Sequence, residues 1–306
     1  MTGVLAAWDR FWFAPAPTST IGLVRIAFGI VMVGWGLALT PDLLTFFSQD
    51  GVVPLQPPYV GWGLLRFFPS DAAVIGVFVA HLVASVCLLL GVVTRLAAAV
   101  VFVTLLSLLR RDPFIFNSGD AVLLNISFFL ALGPAGESLS IDRLLRARGR
   151  FWEFPERAQW PVRLMQVQLS VIYFVSVWAK VRGTTWNDGT AVSYALRLHQ
   201  LHRFPIPRFL TSEPLIVNLL TYGTLAVELG IAILVWNRRA RPWVLAAGAF
   251  LHLSIDYSLE VGFFTLAMLT LYLAFLPPET AARLLLALRR WLERSGIRTL
   301  QRLARA

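Results

Sequence analysis

The chain has 306 residues, 57% of them hydrophobic and only 14% charged, with a mean hydropathy of +0.69. That composition excludes an ordinary soluble core and points to an integral membrane protein. A net charge of +10 would suggest nucleic acid in a soluble protein, but here the arginines fall in loops between apolar runs, where topology and anionic headgroups account for them and no nucleic-acid partner is expected.

In chain order, an aromatic lead-in (Trp8, Phe11, Trp12, Phe13) is expected to lie in the interface before a first span, Ile21–Leu39, which carries Arg25. The span has no small-residue cleavage site after it and reads as a retained anchor. A long loop rich in Pro and aromatics (Pro54, Pro57, Pro58, Tyr59, Trp62, Phe67, Phe68) precedes span two, Ala72–Val93, in which Gly76, Ala80 and Ala84 suggest a small-residue packing seam. Spans three (Leu96–Leu109) and four (Ala121 to about Ala135) are short, and a re-entrant hairpin is the alternative to two crossings. The Arg110-Arg111-Asp112 turn would then lie at depth, so two spans are favoured. Leu139–Trp160, with five arginines, reads as a basic helix on the anionic face before span five, Val162–Lys180. A mixed segment from Val181 to Glu213 separates it from span six (Pro214–Trp236, with Glu228), span seven (Trp243 to about Tyr257, with His252 and Asp256) and span eight (Gly262–Leu276). From Pro278 onward leucines alternate with arginines, the pattern of a surface amphipathic helix broken near Gly296.

The fold expected is therefore all-α: a polytopic transmembrane helix bundle of about eight spans with interfacial amphipathic helices, a transmembrane domain over 11–278 and a basic cytoplasmic tail over 279–306. Alternate loops should collect the arginines. With both termini inside, inner segments hold 18 basic residues and outer loops 8, which supports that orientation. Lys180, Asn117 to Asp120, the Trp186 segment and the outer end of the His252 span then share the extracytoplasmic side, where one pocket can serve them all.

Of the 27 basic residues Lys180 is the only lysine. Arginine stays protonated almost anywhere, whereas a desolvated lysine amine loses its proton and becomes a base. An arginine-biased composition with a lysine snorkelling from a span end explains the same observation. His252 and Asp256, at i and i+4 on one helix face, suit either an acid/base imidazole oriented by a carboxylate or a hydrogen bond joining two spans. Arg25 and Glu228 are expected to form a structural ion pair, His81 to be a packed core histidine, and His199 and His202 to be interfacial. The lone Cys87 cannot form an intrachain disulfide, and four scattered histidines give no metal-ligand spacing; neither a metal nor a nucleotide site is expected.

An Asn-Ser-Gly-Asp run opening a span (Asn117 to Asp120), then Gln168…Tyr173-Phe174…Lys180 followed by Trp186-Asn187-Asp188-Gly189, then Phe250-Leu251-His252 before an aromatic-rich span, resembles the bacterial HTTM domain. That domain is the membrane part of the vitamin K-dependent gamma-carboxylase superfamily. The resemblance covers about Phe11 to Pro278, and the Tyr-Phe…Lys…Trp…Gly segment is its most specific part. It implies that Lys180 deprotonates reduced vitamin K or menaquinone, which then reacts with oxygen to form a stronger base; that base removes a proton from a glutamate gamma carbon, and the carbanion captures carbon dioxide. His252 matches a span histidine of the family. The chain departs from the animal enzyme in having one lysine instead of a pair, no histidine near Asn117, and only an arginine-rich tail where that enzyme has a luminal substrate-binding domain.

The resemblance thus implies a carboxylase-like enzyme of the bacterial cytoplasmic membrane, with Lys180 and His252 catalytic, with Asn117, Asp120, Tyr173, Trp186 and Asp256 at a substrate or quinone site, and with a membrane quinol and an extracytoplasmic peptide or protein as partners. The alternative is a non-catalytic DoxX-like membrane subunit of a quinone-linked oxidoreductase. A transporter is disfavoured, as no internal repeat or paired broken spans are visible.

Overall fold

The structure, a computed structural model, describes residues 2–53, 62–147 and 150–294. Pro54, Pro57, Pro58 and Tyr59 of the first loop, Arg148, and the tail break near Gly296 lie outside the described residues.

The chain is almost wholly helical. In order, α1 is Thr2–Phe13, α2 Ser19–Leu39, α3 Leu43–Phe47, α4 Leu64–Phe67, α5 Asp71–Leu90, α6 Thr94–Arg111, α7 Ser118–Leu132 and α8 Ile141–Arg146. Then follow α9 Trp160–Lys180, α10 Thr184–Asn187, α11 Ala191–Ala195, α12 Phe209–Ser212, α13 Pro214–Leu234, α14 Arg241–Ser258, α15 Phe264–Tyr272 and α16 Pro278–Arg294. Four stretches are long and apolar enough to cross a bilayer: Ser19–Phe47, which combines α2 and α3, then α5, α9 and α13. The protein is therefore a helical membrane protein. The other expected spans correspond to α6, which carries three arginines, to α7 with 15 residues, and to α14 and α15.

The chain divides into two compact units, residues 1–165 with 276–306, and residues 166–275. In the first, α2, α5, α6 and α7 pack in succession, and α2 also meets α7. Phe28, Met32, Leu88, Leu105, Leu108, Leu123, Ile126 and Leu130 fill the interior with essentially no exposure. In a bilayer such packing is driven by close contact more than by water exclusion. The seam expected on α5 is not there, since a side chain at Gly76 would meet open space and Ala80 is exposed. The close-approach glycines lie on α2 instead. Gly22, Gly29 and Gly36 recur every seven residues on one face, and a Cβ there would strike Ser138, the Leu89 backbone and Leu82. Of the i, i+4, i+8 pattern on α5 only Ala84 is buried, beside a set (Val74, Phe78, His81, Ser85, Leu88) that keeps a seven-residue repeat.

Ser70 caps α5, its hydroxyl accepting from the Ala73 N–H at 3.2 Å. At the other end Gly91, at φ +72°, closes a Schellman turn in which Val92 N–H donates to Cys87 O at 2.8 Å and Gly91 N–H to Leu88 O at 3.2 Å. A Cβ on Gly91 would also collide with the Arg25 guanidinium and Ser140, so both backbone and space demand glycine.

The continuous basic helix expected over Leu139–Trp160 does not form. Among the described residues before α9, Ile141–Arg146 is the helical part, and Glu156–Ala158 pairs as a short antiparallel strand with Pro15–Pro17. Pro155 bars a helix from continuing through the turn before it, because a proline inside a helix removes an amide donor and clashes with the preceding turn. Asp142 on α8 caps α6 in place of a local residue: its carboxylate accepts from Val93 N–H (2.9 Å), Thr94 N–H (2.8 Å) and the Thr94 hydroxyl (2.7 Å). Burial opposes ionisation of Asp142, yet these donors and nearby Arg146 hold its carboxyl below the ordinary value of 3.8. The start of α2 is tied to the start of α16 by Ser19 donating to Pro278 O (2.6 Å) and Thr20 to Leu276 O (2.9 Å).

In the second unit α13 packs on α14 and α14 on α15, while α11 and α12 lie against α13. Helix α9 joins them through the polar residues of one face. Gln166 donates to Ala274 O at 2.7 Å, Ser170 accepts from the Trp236 indole at 2.8 Å, and Tyr173, Ser176 and Lys180 continue the file. The steps of four, three, three and four residues keep all five side chains on one side of the helix.

Candidate functional site

Lys180 ends α9 with its side chain 22% exposed. Its Nζ donates to the Ser176 hydroxyl at 2.9 Å and to Oε1 of Glu228 on α13, while the Ser176 hydroxyl donates to Oε2 of the same carboxylate at 3.1 Å. Both carboxylate oxygens are thus engaged in a closed three-residue ring. The Trp186 indole covers the ammonium, with its ring centroid 5.1 Å from Nζ. Trp186 is positioned by α10, whose end is anchored when the Tyr222 hydroxyl donates to Asn187 O at 2.7 Å.

Two helical turns before Lys180, Tyr173 places its hydroxyl 2.5 Å from Nε2 of His252 and within hydrogen-bond reach of the Tyr272 hydroxyl. These three side chains come from α9, α14 and α15, and Tyr173, His252 and Tyr272 are 2%, 3% and 7% exposed. Gly248, one turn before His252, makes room for the Tyr272 ring end, which a Cβ would strike. Thr265 donates to His252 O at 3.1 Å, and Phe264 presents its ring to the imidazole at 5.2 Å. Among the described residues, His252 Nδ1 and Gln168 Oε1 are buried without a hydrogen-bond partner. The two clusters share one face of α9, which carries Tyr173, Ser176 and Lys180 at successive turns.

Several expectations from sequence are corrected. Arg25 and Glu228 do not pair with each other: Glu228 is held by Lys180, and Arg25 by the Leu88, Leu89 and Leu139 carbonyls. Each charge is satisfied within its own unit. Asp256 does not orient His252; it faces Arg203 at 3.4 Å, while the imidazole turns toward Tyr173. Asn117 and Asp120 build a capping box at the start of α7: Asp120 Oδ2 accepts from Asn117 N–H (2.9 Å) and Asn117 Oδ1 from Gly119 N–H (2.7 Å). The other Asp120 oxygen accepts from the Trp35 indole at 2.9 Å. Helix termination and packing thus account for the Asn-Ser-Gly-Asp run, which belongs to the first unit, whereas Lys180, Trp186, Tyr173 and His252 belong to the second. A cavity of about 320 Å³ in the first unit, lined by Thr94, Arg95, Glu137, Asp142 and Arg146 among others, contains none of these residues.

Sequence reading missed Ser176 and Tyr272 and misassigned Glu228. Two signals were present: Ser176 precedes Lys180 by four residues on the same face, and the sole lysine and Glu228 are opposite charges in successive spans. Nothing in the sequence distinguishes Tyr272 from other aromatic residues of its span.

Helices of membrane length carrying a half-buried lysine paired with a buried glutamate, and a buried tyrosine–histidine–tyrosine cluster, define a helical membrane protein with an ionisable site. The HTTM domain family model matches residues 13–279, most of the length, and the chain belongs to that family. Comparison with curated proteins and with solved structures returned no match.

Proposed function

We propose that this HTTM protein is a gamma-carboxylase-like enzyme of a bacterial cytoplasmic membrane that uses reduced menaquinone and oxygen to generate a strong base for carboxylation. In this reading about eight spans place both termini inside and the site toward the extracytoplasmic face, with 279–306 as a cytoplasmic tail. The observation that carries it is the sole lysine of the chain, held beside Ser176, Glu228 and Trp186 on the helix face that also carries Tyr173, the partner of His252.

The residues present fit a quinol. The Trp186, Tyr173 and Phe264 rings supply flat apolar surface, and His252 Nδ1 is a buried polar atom that a ligand hydroxyl would satisfy. The quinol, when bound, supplies the oxygen chemistry. Lys180 would remove a hydroxyl proton, and Tyr173, itself bonded to the Tyr272 hydroxyl, holds His252 in place through Nε2. The fit extends to no particular acceptor, so an extracytoplasmic peptide or protein substrate remains the expectation for carboxylation.

The test is oxygen-dependent formation of menaquinone epoxide by the purified protein in lipid nanodiscs, wild type against Lys180→Arg. Arginine keeps charge and reach but cannot give up its proton, so epoxide from the wild type alone is expected. Full activity in Lys180→Arg would remove the base assignment.

A second reading, a non-catalytic DoxX-like subunit, is favoured by the closed hydrogen bonding of Lys180, Ser176 and Glu228, as in a structural tie between helices. It expects no epoxide from either protein and an undisturbed fold in Lys180→Arg.

A further inference from the structure

A lysine held by a buried carboxylate is an ammonium ion, and an ammonium ion cannot accept a proton. The base reading of Lys180, on which this inference rests, therefore needs somewhere for the lysine proton to go. Five features bear on where. Glu228 is 7% exposed and has both oxygens hydrogen-bonded, one to Nζ and one to the Ser176 hydroxyl. Ser176 is bonded to both partners, so a hydroxyl links the amine and the far carboxylate oxygen. The same face of α9 carries Tyr173, which is bonded to His252 of α14 and to Tyr272 of α15, and the Trp186 ring of α10 covers Nζ. Among the described residues, the ion pair of Lys180 is with Glu228. Seclusion disfavours two separated charges and narrows the gap between the ion pair and its neutral form.

We propose that Glu228 is the proton store of the site: the Lys180 proton passes to the Glu228 carboxylate, directly or through Ser176, leaving the neutral amine that the chemistry requires. In the transfer an Nζ–H bond breaks and a carboxyl O–H bond forms, with no net change in charge. The amine then takes a proton from the substrate hydroxyl, restoring the ammonium, so the net acceptor is Glu228 and the pair gains one positive charge against the anion formed on the substrate. Glu228 acts through Lys180 and is a positioning and proton-holding residue. Because the chain contains one lysine, its side-chain nitrogen can be followed as a single resonance without any activity being present.

The experiment uses the full chain in lipid nanodiscs, labelled with lysine carrying ¹⁵N at Nζ, as wild type, Glu228→Gln and Glu228→Asp. Loss of the carboxylate should lower the titration midpoint of the Lys180 resonance by at least about one pH unit, since an opposite charge at contact distance shifts such groups by roughly that much or more. At a pH where the Lys180 resonance of Glu228→Gln reports a neutral amine, menaquinone epoxidation should still be reduced about a hundredfold or more, the scale of a lost acid–base partner. Glu228→Asp should recover part of both effects, which a fold defect in the glutamine variant would not explain. An unchanged midpoint in Glu228→Gln overturns the coupling. A lowered midpoint with undiminished epoxidation overturns the proton store while leaving Lys180 as the base. A wild type that makes no epoxide overturns the proposed function instead, and the midpoint shift still decides whether the pair titrates together.

Discussion

Each unit of the molecule buries one basic side chain in a membrane-grade helix, and the two are satisfied in opposite ways. Arg25 in the first unit has no exposure and no salt bridge among the described residues; it donates to Leu88 O at 3.1 Å, Leu89 O at 3.2 Å and Leu139 O at 2.5 Å. Two of these carbonyls lie in the last turn of α5, where the helix dipole also favours a cation, and Leu88 O is shared with the Gly91 N–H. Lys180 in the second unit is met by an ionised partner and a hydroxyl, both of which can exchange protons. A guanidinium fanned over carbonyls is fixed in its charge state and ties chain segments together. An amine facing a carboxylate can become neutral without leaving its place. The contrast separates a structural cation from one suited to chemistry.

The largest effect expected from breaking this contrast is at Lys180. Lys180→Met strands the Glu228 carboxylate and should lower stability in detergent by about 3–5 kcal/mol, whereas the double variant Lys180→Met/Glu228→Leu should recover most of that loss. A denaturation cycle over the four proteins measures it, and additive single losses would mean the two side chains are not paired. Next, Arg25→Leu leaves the α5 and Leu139 carbonyls without their donor and should cost about 2–3 kcal/mol. Arg25→Lys should recover only part, because one ammonium cannot reproduce the planar fork; full recovery would show that charge alone matters there. Tyr173→Phe removes the hydroxyl shared by His252 and Tyr272 and should cost about 1–2 kcal/mol by the same assay, while leaving the Lys180 ammonium in place.

The smallest effect concerns Asp142 and acid. Its folded carboxyl titrates below the ordinary value, so its contribution is complete above pH 3.8 and disappears as pH falls through the lower folded value. Asp142→Asn should therefore be less stable than wild type by about 1 kcal/mol near neutral pH, the cost of a weakened helix cap, and the difference should close on acidification. A difference independent of pH would assign the effect to shape and not to charge.

The periodicity and length of the apolar runs made most long helices legible, because span length and a charge-free interior leave few alternatives. Lys180 was visible as an outlier of composition, and its tyrosine and tryptophan neighbours lay in the same short segment. Partners distant in the chain were not visible. Whether Glu228 meets Arg25 or Lys180 depends on helix rotation, which one sequence does not encode in any local pattern. The rotation of His252 away from Asp256 was hidden for the same reason, since i and i+4 residues share a face but diverge when each finds its own partner. Pro155 in the basic stretch is a helix breaker visible in the sequence, while the arginine run alone suggested a continuous helix. The Asn117 to Asp120 run shows the converse, a motif-like spacing whose groups are accounted for by a helix cap.

The Arg25 arrangement also constrains how the protein is made. Its acceptors at Leu88, Leu89 and Leu139 lie 63, 64 and 114 residues downstream. As the chain emerges from the ribosome, the first apolar segment therefore partitions into the bilayer with its guanidinium still lacking these acceptors, an insertion cost on the order of 2.5–3.5 kcal/mol if it reached the midplane. The long apolar stretch around Arg25 outweighs that cost, and the charge finds its carbonyls only when later segments arrive. The Arg25 helix is accordingly fixed by these contacts only after the chain has been made as far as Leu139.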